Sequence, residues 1–74
     1  MIHISKIFEV VQELKRFSIA WVSERGERIF VQDAEFRSFF SMGYTMNIVC
    51  RASGQIRKVN RYSVVEINGE EVFI

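Results

Sequence analysis

The feature that most constrains this chain is the two-residue alternation of side chains that begins after position 16. Phe17, Ile19 and Trp21 alternate with smaller residues, and this is the period of a β-strand with one buried face. Near the C-terminus, Asn68-Gly69 separates two apolar runs, and this dipeptide favours the tight turn of a β-hairpin. The sequence therefore predicts a mainly β fold of short strands joined by turns.

The first 16 residues follow a different period and predict one amphipathic helix. Its apolar side chains recur every three or four positions: Ile4, Ile7, Phe8, Val11 and Leu14. Ser5 is the candidate cap for the start of the helix. Because a helix of about ten residues is marginal in water, its apolar stripe must pack on the sheet or on another copy of the chain, or else the helix frays.

The segment Asp33–Gly43 is compatible with two local structures. As a helix it has Asp33 as its cap, Gly43 as its stop, and phenylalanines at helical spacing at positions 36, 39 and 40. As a strand it continues the preceding run, turns at Met42-Gly43 and pairs with the alternating segment Thr45–Arg51. We favour the strand because Thr45–Arg51 needs a neighbour.

Five or six short strands joined by tight turns pair with their sequence neighbours, because parallel crossovers need longer connections. We expect a single domain over residues 1–74, with a helical arm at 1–16. Residues 17–74 are expected to form an antiparallel meander or a small SH3-like barrel.

Two local features refine the C-terminal half. The alternation changes phase after Val59, which predicts a bulge or a short helical turn at positions 60–62. A two-residue hairpin turn at positions 68–69 places Glu66 opposite Glu71, which is a pair of like charges. Either this pair costs a few tenths of a kcal/mol, or the loop is one residue longer.

The C-terminal segment SGQIRKVNRYSVVEINGEEVFI, Ser53–Ile74, follows an earlier strand, glycine turn and strand at Phe17–Arg28. This pattern resembles small uncharacterised β-rich proteins carried by phages and mobile elements of gut bacteria. The resemblance leaves out the N-terminal helix and rests on a structural motif. It therefore implies no activity and assigns no functional residues.

Composition bounds the compartment in which the chain works. One cysteine cannot form an intramolecular disulfide, and no Cys/His pair stands at a metal-ligand spacing. Charged residues interrupt the apolar positions of the N-terminus, unlike a signal peptide or a membrane span. We therefore expect a cytoplasmic protein without a membrane segment.

The sequence contains no constellation that is typical of an active site. His3 is far in sequence from Cys50, so no nucleophile is predicted beside a base. Glu66, Glu70 and Glu71 cluster near the last turn but lack the spacing of a cation-binding loop. We expect no enzyme activity, no cofactor, no metal and no small-molecule substrate.

Charge is distributed unevenly along the chain. Positions 36–65 hold five cations and no acid, whereas the other 44 residues hold five cations and nine acids. Cations neutralise phosphates and exposed tyrosines stack on unpaired bases, so this block is a candidate nucleic-acid surface. Its residues are Arg37, Tyr44, Arg51, Arg57, Lys58, Arg61 and Tyr62. Neighbouring strand positions such as 57 and 58 point to opposite faces, and the alternative is a solvated cationic face that attracts the acidic half or a second subunit.

Apolar side chains form a second candidate surface. The helix stripe and a cluster of rings are large enough to anchor an interface, and they comprise Ile4, Ile7, Phe8, Val11, Leu14, Phe36, Phe39 and Phe40. Packing in the chain's own core explains the same residues equally well. The sequence favours a non-enzymatic interaction module, a homodimer or a binder of a protein partner, in a phage- or mobile-element-like setting. Weak nucleic-acid binding through a basic face is the alternative.

Overall fold

The computed structural model describes residues 1–40 and 44–73. In this part of the chain, one helix, α1 (Ile7–Leu14), accompanies a seven-stranded sheet. The strands are β1 (Ile2–His3), β2 (Arg16–Val22), β3 (Arg28–Phe40), β4 (Thr45–Cys50), β5 (Gln55–Asn60), β6 (Val64–Ile67) and β7 (Glu70–Phe73). The prediction of a mainly β fold with one N-terminal helix is confirmed.

The strands lie in the order β1-β7-β6-β2-β3-β4-β5, so the described sheet has edges at β1 and β5. The antiparallel meander is confirmed from β2 to β5. It is wrong for β6, which returns to pair with β2, with Ile67 opposite Ile19. It is also wrong for β1, which runs parallel to β7 with Ile2 opposite Val72. A 3-10 turn at positions 61–63 redirects the chain before β6, where the sequence predicted a bulge or a short helical turn.

The N-terminal helix begins later than the apolar pattern does. Residues 4–6 form a 3-10 turn, and α1 follows directly. The expected capping role of Ser5 is wrong. His3 caps the 3-10 turn, since its Nδ1 accepts from the Ser5 backbone N–H at 3.1 Å, and the N-cap of α1 is Lys6, whose side chain makes no capping bond. Ile7 and Val11 are fully buried in the chain's own core. The helix therefore docks on the sheet, as the period of its apolar residues requires.

The disputed segment is a strand as far as Phe40, which confirms the favoured alternative. The predicted turn at Met42-Gly43 lies outside the described residues. A bulge between Phe36 and Ser38 shifts the register against β4. Because the bulge adds one residue, Phe36 and Phe39 come to pack against each other, with ring centroids 4.8 Å apart. A strand with a bulge thus reproduces the spacing that also fits a helix.

The last hairpin has the predicted turn. Asn68 and Gly69 both have positive φ, at 51° and 80°, as the tightest hairpin turns require. Glu66 lies opposite Glu71, so the predicted like-charge pair is confirmed. Arg28 on β3 lies 3.5 Å from the Glu66 carboxylate and offsets part of the repulsion.

One cluster of buried side chains holds the elements together. It draws on β1, on the 3-10 turn at residues 4–6, on α1 and on every strand from β2 to β6. Its members are Ile2, Ile4, Ile7, Val11, Phe17, Ile19, Trp21, Ala34, Met46, Ile48, Val59, Val64 and Ile67.

Candidate functional site

The end of the β4–β5 pair brings two tyrosines together. Thr45 is the register partner of Asn60, and the chain continues from this pair to Tyr44 on one side and Arg61 on the other. The Arg61 backbone N–H donates to the Tyr44 carbonyl at 2.9 Å. Asn60 caps the 3-10 turn, since its Oδ1 accepts from the Tyr62 backbone N–H at 2.8 Å. These two hydrogen bonds therefore fix the backbone from which both tyrosine side chains extend.

We call Tyr44, Arg61 and Tyr62 the aromatic platform. The two tyrosine rings stack with centroids 6.1 Å apart and planes inclined by 29°. The Arg61 guanidinium carbon lies 5.7 Å from the Tyr44 centroid and 5.2 Å from the Tyr62 centroid, within the range of cation–π attraction. Tyr44 is 51% exposed and Tyr62 is 56% exposed. The platform is thus ordered while more than half of each tyrosine stays accessible.

The platform rests on the helix through Phe8. The Arg61 guanidinium lies 5.1 Å from the Phe8 ring centroid. Phe8 in turn packs on Phe39 with centroids 4.4 Å apart. The Arg61 Nε is buried, and among the described residues it finds no acceptor. The contact with Phe8 therefore couples the position of Arg61 to the docking of α1.

A groove of about 720 Å³ adjoins the platform at Tyr62. It lies between the β2–β3 turn and the end of β5. Its lining includes Trp21, Glu24, Glu27, Lys58, Asn60 and Tyr62. The groove combines an aromatic wall with side chains of both charges.

Arg51 does not join the platform, although the sequence grouped them. It follows β4 at the opposite end of the β4–β5 hairpin, about 23 Å from Tyr44 along extended chain. Its Nη1 lies 3.6 Å from the Glu35 carboxylate. Arg51 thus belongs to a mixed-charge cluster at the far end of the sheet.

The same end of the sheet holds a second ion pair. Arg16 donates from Nη2 to one oxygen of Asp33 at 2.7 Å and from Nε to the other at 3.3 Å. The hydrogen bond from Arg16 lowers the pKa of the Asp33 carboxyl, and it raises the pKa of Arg16. These acids neutralise the cations there, so the accessible positive charge lies closer to the platform.

The remaining candidate cations are separated by the strand geometry. Arg37 is exposed on β3 at the bulge. Arg57 lies opposite Ile48, and its Nη2 donates to the Gln55 side chain at 2.8 Å. Lys58 points to the other face of β5 and lines the groove. The structure therefore brings together Tyr44, Arg61 and Tyr62, with Lys58 beside them.

Most of the predicted interface residues lie inside the chain. Ile4, Ile7 and Val11 are buried, and Phe8, Phe36 and Phe39 are half-buried against the core. Leu14 is 43% exposed, and the side chain of Phe40 lies outside what the structure describes. The alternative explanation, packing in the chain's own core, accounts for the buried members of this set.

Sequence reasoning missed the groove and several exposed rings. Trp21, Glu24 and Glu27 line the groove, but no local pattern indicates that the β2–β3 turn lies near the end of β5. Phe30 and Phe73 are exposed outside the predicted surfaces. Their strand phase could have indicated an outward position, but the sequence analysis assigned them to no surface.

In residues 1–40 and 44–73, no helix has the length and apolar character needed to cross a bilayer. The same residues contain no group of three or more His, Cys, Asp or Glu side chains that could hold a metal ion. Comparisons with protein family models, curated proteins and solved structures find nothing that matches this chain.

Proposed function

We propose that this chain is a non-enzymatic module that binds single-stranded nucleic acid, with bases stacked on the aromatic platform. The observation that carries the proposal is the pair of half-exposed tyrosine rings held side by side by Arg61. Every base has a π face, so stacking on an aromatic side chain is worth about 1–3 kcal/mol per base whatever the sequence. Lys58, beside Tyr62 in the groove, adds attraction for the phosphates.

Exposure of the two rings favours a ligand over a purely structural role. A tyrosine that serves the core buries most of its ring, as Phe17 and Trp21 do. Tyr44 and Tyr62 instead keep over half their surface in solvent, although Arg61 contacts and orders both rings. Because the two rings are ordered before a ligand binds, less side-chain entropy is lost on binding.

The charge near the platform limits the strength of binding. Lys58 and Arg61 are the candidate cations that lie at the platform, because Arg57 points to the other face of β5. For single strands, log K falls by about 0.7 per log unit of salt for each phosphate neutralised, so two contacts predict a slope of about −1.4. We expect weak binding that a tenfold rise in salt reduces by about 25-fold.

A labelled single-stranded oligonucleotide titrated by fluorescence anisotropy at low and high salt tests the proposal. Tyr62→Ala should weaken binding about tenfold, which corresponds to about 1.4 kcal/mol of lost stacking. Phe30→Ala is the matched control, because Phe30 is equally exposed at 55% and lies beside Cys50 and Ala52 on the far part of the sheet. Absence of binding at low salt, or equal losses for the two variants, contradicts the proposal.

Arg61→Lys separates stacking from charge. Lysine keeps the positive charge but loses the flat guanidinium that contacts both rings. We expect the salt slope to stay the same while the affinity falls. A variant that matches the wild type at every salt concentration shows that the guanidinium does not order the platform.

Weak self-association through β5 is the second candidate. β5 lies at the edge of the described sheet, it is six residues long, and Ile56 on it is exposed. An exposed edge strand is a template for pairing with another chain. A two-fold axis pairs residues on the same face, so the registers with most overlap put Arg57 opposite Arg57 of the second copy, or Lys58 opposite Lys58.

The like charges in either register make the two candidates respond to salt in opposite directions. Salt screens repulsion between cations, so dimers formed at β5 should increase as salt rises, whereas nucleic-acid binding should decrease. Sedimentation velocity at several salt concentrations measures the first effect. A strict monomer over a wide concentration range at high salt removes the self-association candidate.

The fold proposed for this module is an SH3-like barrel. The order β6-β2-β3-β4-β5, with a 3-10 turn leading into β6, supports this proposal. Small barrels commonly bind oligonucleotides on one sheet face. A phage- or mobile-element-like setting stays a prediction from the resemblance of the C-terminal segment.

A further inference from the structure

We infer that the groove beside Tyr62 receives one base of the bound strand and prefers cytosine and adenine, which present an exocyclic amino donor. This inference rests on the proposed function and adds a specificity to it. Tyr62 belongs to both the platform and the groove wall, so the nucleotide next to a stacked base reaches the groove. Its volume of about 720 Å³ is in the size range of small-ligand sites, about 300–1,000 Å³, and the groove is open to solvent.

The walls of the groove determine which base it prefers. Glu24 and Glu27 line it from the β2–β3 turn. Their carboxylates accept hydrogen bonds only. Cytosine and adenine present an amino donor on the edge where thymine and uracil present a carbonyl oxygen. Two carboxylates therefore attract the amino bases and repel the carbonyl edge.

The turn that carries these acids is held in place by its own hydrogen bonds. The Ser23 backbone N–H donates to the Glu27 carbonyl at 2.8 Å. The Glu27 backbone N–H donates to the Ser23 hydroxyl at 3.2 Å. Gly26 supplies the positive φ of 84° that closes the turn. The hydrogen bonds therefore fix the backbone from which both exposed glutamates extend.

The rest of the lining suits the other parts of a nucleotide. Trp21 contributes an aromatic wall, and it is only 6% exposed. Arg25 and Lys58 line the same groove, and cations of this kind attract a phosphate. Two acids and two cations make the lining neutral in formal charge. A nucleotide, with a donor edge and an anionic group, matches this combination better than a simple anion does.

Trp21 gives a direct readout, because it is the one tryptophan in the sequence. Cytidine monophosphate and uridine monophosphate are titrated separately while tryptophan emission is recorded. We expect saturable quenching by the cytidine compound and about tenfold weaker binding of the uridine compound, the discrimination that one good base-edge contact provides. A double variant, Glu24→Gln with Glu27→Gln, should bring the two affinities together. Glutamine keeps the size of each exposed side chain, and a thermal melt checks that the variant is folded.

Anisotropy with oligodeoxycytidine and oligothymidine of equal length separates the two proposals. If both oligonucleotides bind equally and tryptophan emission does not change, the proposed base site in the groove is contradicted. The proposed stacking on the platform is then still supported. Quenching by cytidine monophosphate with no oligonucleotide binding supports the groove and overturns the platform. Equal quenching by both mononucleotides that the double variant does not alter overturns the assigned preference.

Discussion

Ile7 connects α1 to the sheet, and shortening its side chain tests whether the helix is docked as described. The residue is fully buried, with 0% exposure, among the core side chains. A helix of eight residues is too short to be stable by itself in water. If the docking is real, the helix depends on contacts like this one.

The expected cost follows from burial. Replacing a buried isoleucine by alanine lowers the free energy of unfolding by about 2–5 kcal/mol, and replacing it by valine lowers it by about 1 kcal/mol. At about 0.05–0.15 kcal/mol per residue, a chain of 74 residues has a free energy of unfolding of about 4–11 kcal/mol. Ile7→Ala therefore removes a large share of the total. Ile7→Val loses less stability, so its unfolding transition can still be measured.

Leu14→Ala is the control on the same helix. Leu14 is 43% exposed, so its truncation should cost about 0.5 kcal/mol. Urea unfolding followed by circular dichroism, at two protein concentrations about tenfold apart, measures all three variants. Equal costs for Ile7→Ala and Leu14→Ala refute the docking. Midpoints that rise with concentration show instead that the stripe packs on a second copy.

Three further predictions concern single contacts. The hydrogen bond from Arg16 lowers the pKa of Asp33. This pair therefore stabilises the fold at pH values above the ordinary pKa of a carboxyl group. The contribution is lost as the pH falls through the lowered pKa of the folded state. The difference in melting temperature between the wild type and Asp33→Asn should disappear on acidification, and a difference that is constant with pH contradicts this. Gly69 has a φ of 80°, and an added Cβ would meet nothing within 4 Å. Gly69→Ala should therefore lower the free energy of unfolding by about 1 kcal/mol through backbone strain alone. Urea unfolding measures this loss, and an unchanged stability argues against the turn. Glu71→Lys should stabilise by about 0.5 kcal/mol because position 71 lies opposite Glu66. Glu70→Lys is the comparison: position 70 lies opposite Ile67, and Glu70 lies 3.5 Å from the N-terminal amino group, so this variant should not gain stability. A gain equal to that of Glu71→Lys points to net charge rather than to the cross-strand pair.

Local patterns predicted the elements of this fold. Alternation identified β2, and the turn dipeptide at positions 68–69 identified the last hairpin. The loss of phase after Val59 predicted the irregular turn that now positions Arg61 and Tyr62. These features depend on neighbours within a few residues, and such neighbours are visible in the sequence.

Pairings between distant segments could not be predicted in the same way. β6 pairs with β2 across more than forty positions, and β1 has only two residues, too few to show a period. The groove depends on the same long-range closure, because it joins the β2–β3 turn to the end of β5.

The candidate site was predicted in part. The set included Tyr44, Arg61 and Tyr62 because aromatic and cationic residues alternate there. It also included Arg51, which lies at the far end of the hairpin and pairs with Glu35. Composition indicates which residue types are present, whereas strand length and register decide which of them meet.

A nuclear magnetic resonance titration tests the central claim most directly. A short single-stranded oligonucleotide is added at low salt to the isotope-labelled chain, and the backbone amide signals are followed. We predict that the signals of Tyr44, Arg61, Tyr62 and Ser63 shift, because bases stack beside them. Shifts confined to β6 and β7, or an unchanged spectrum, contradict the account.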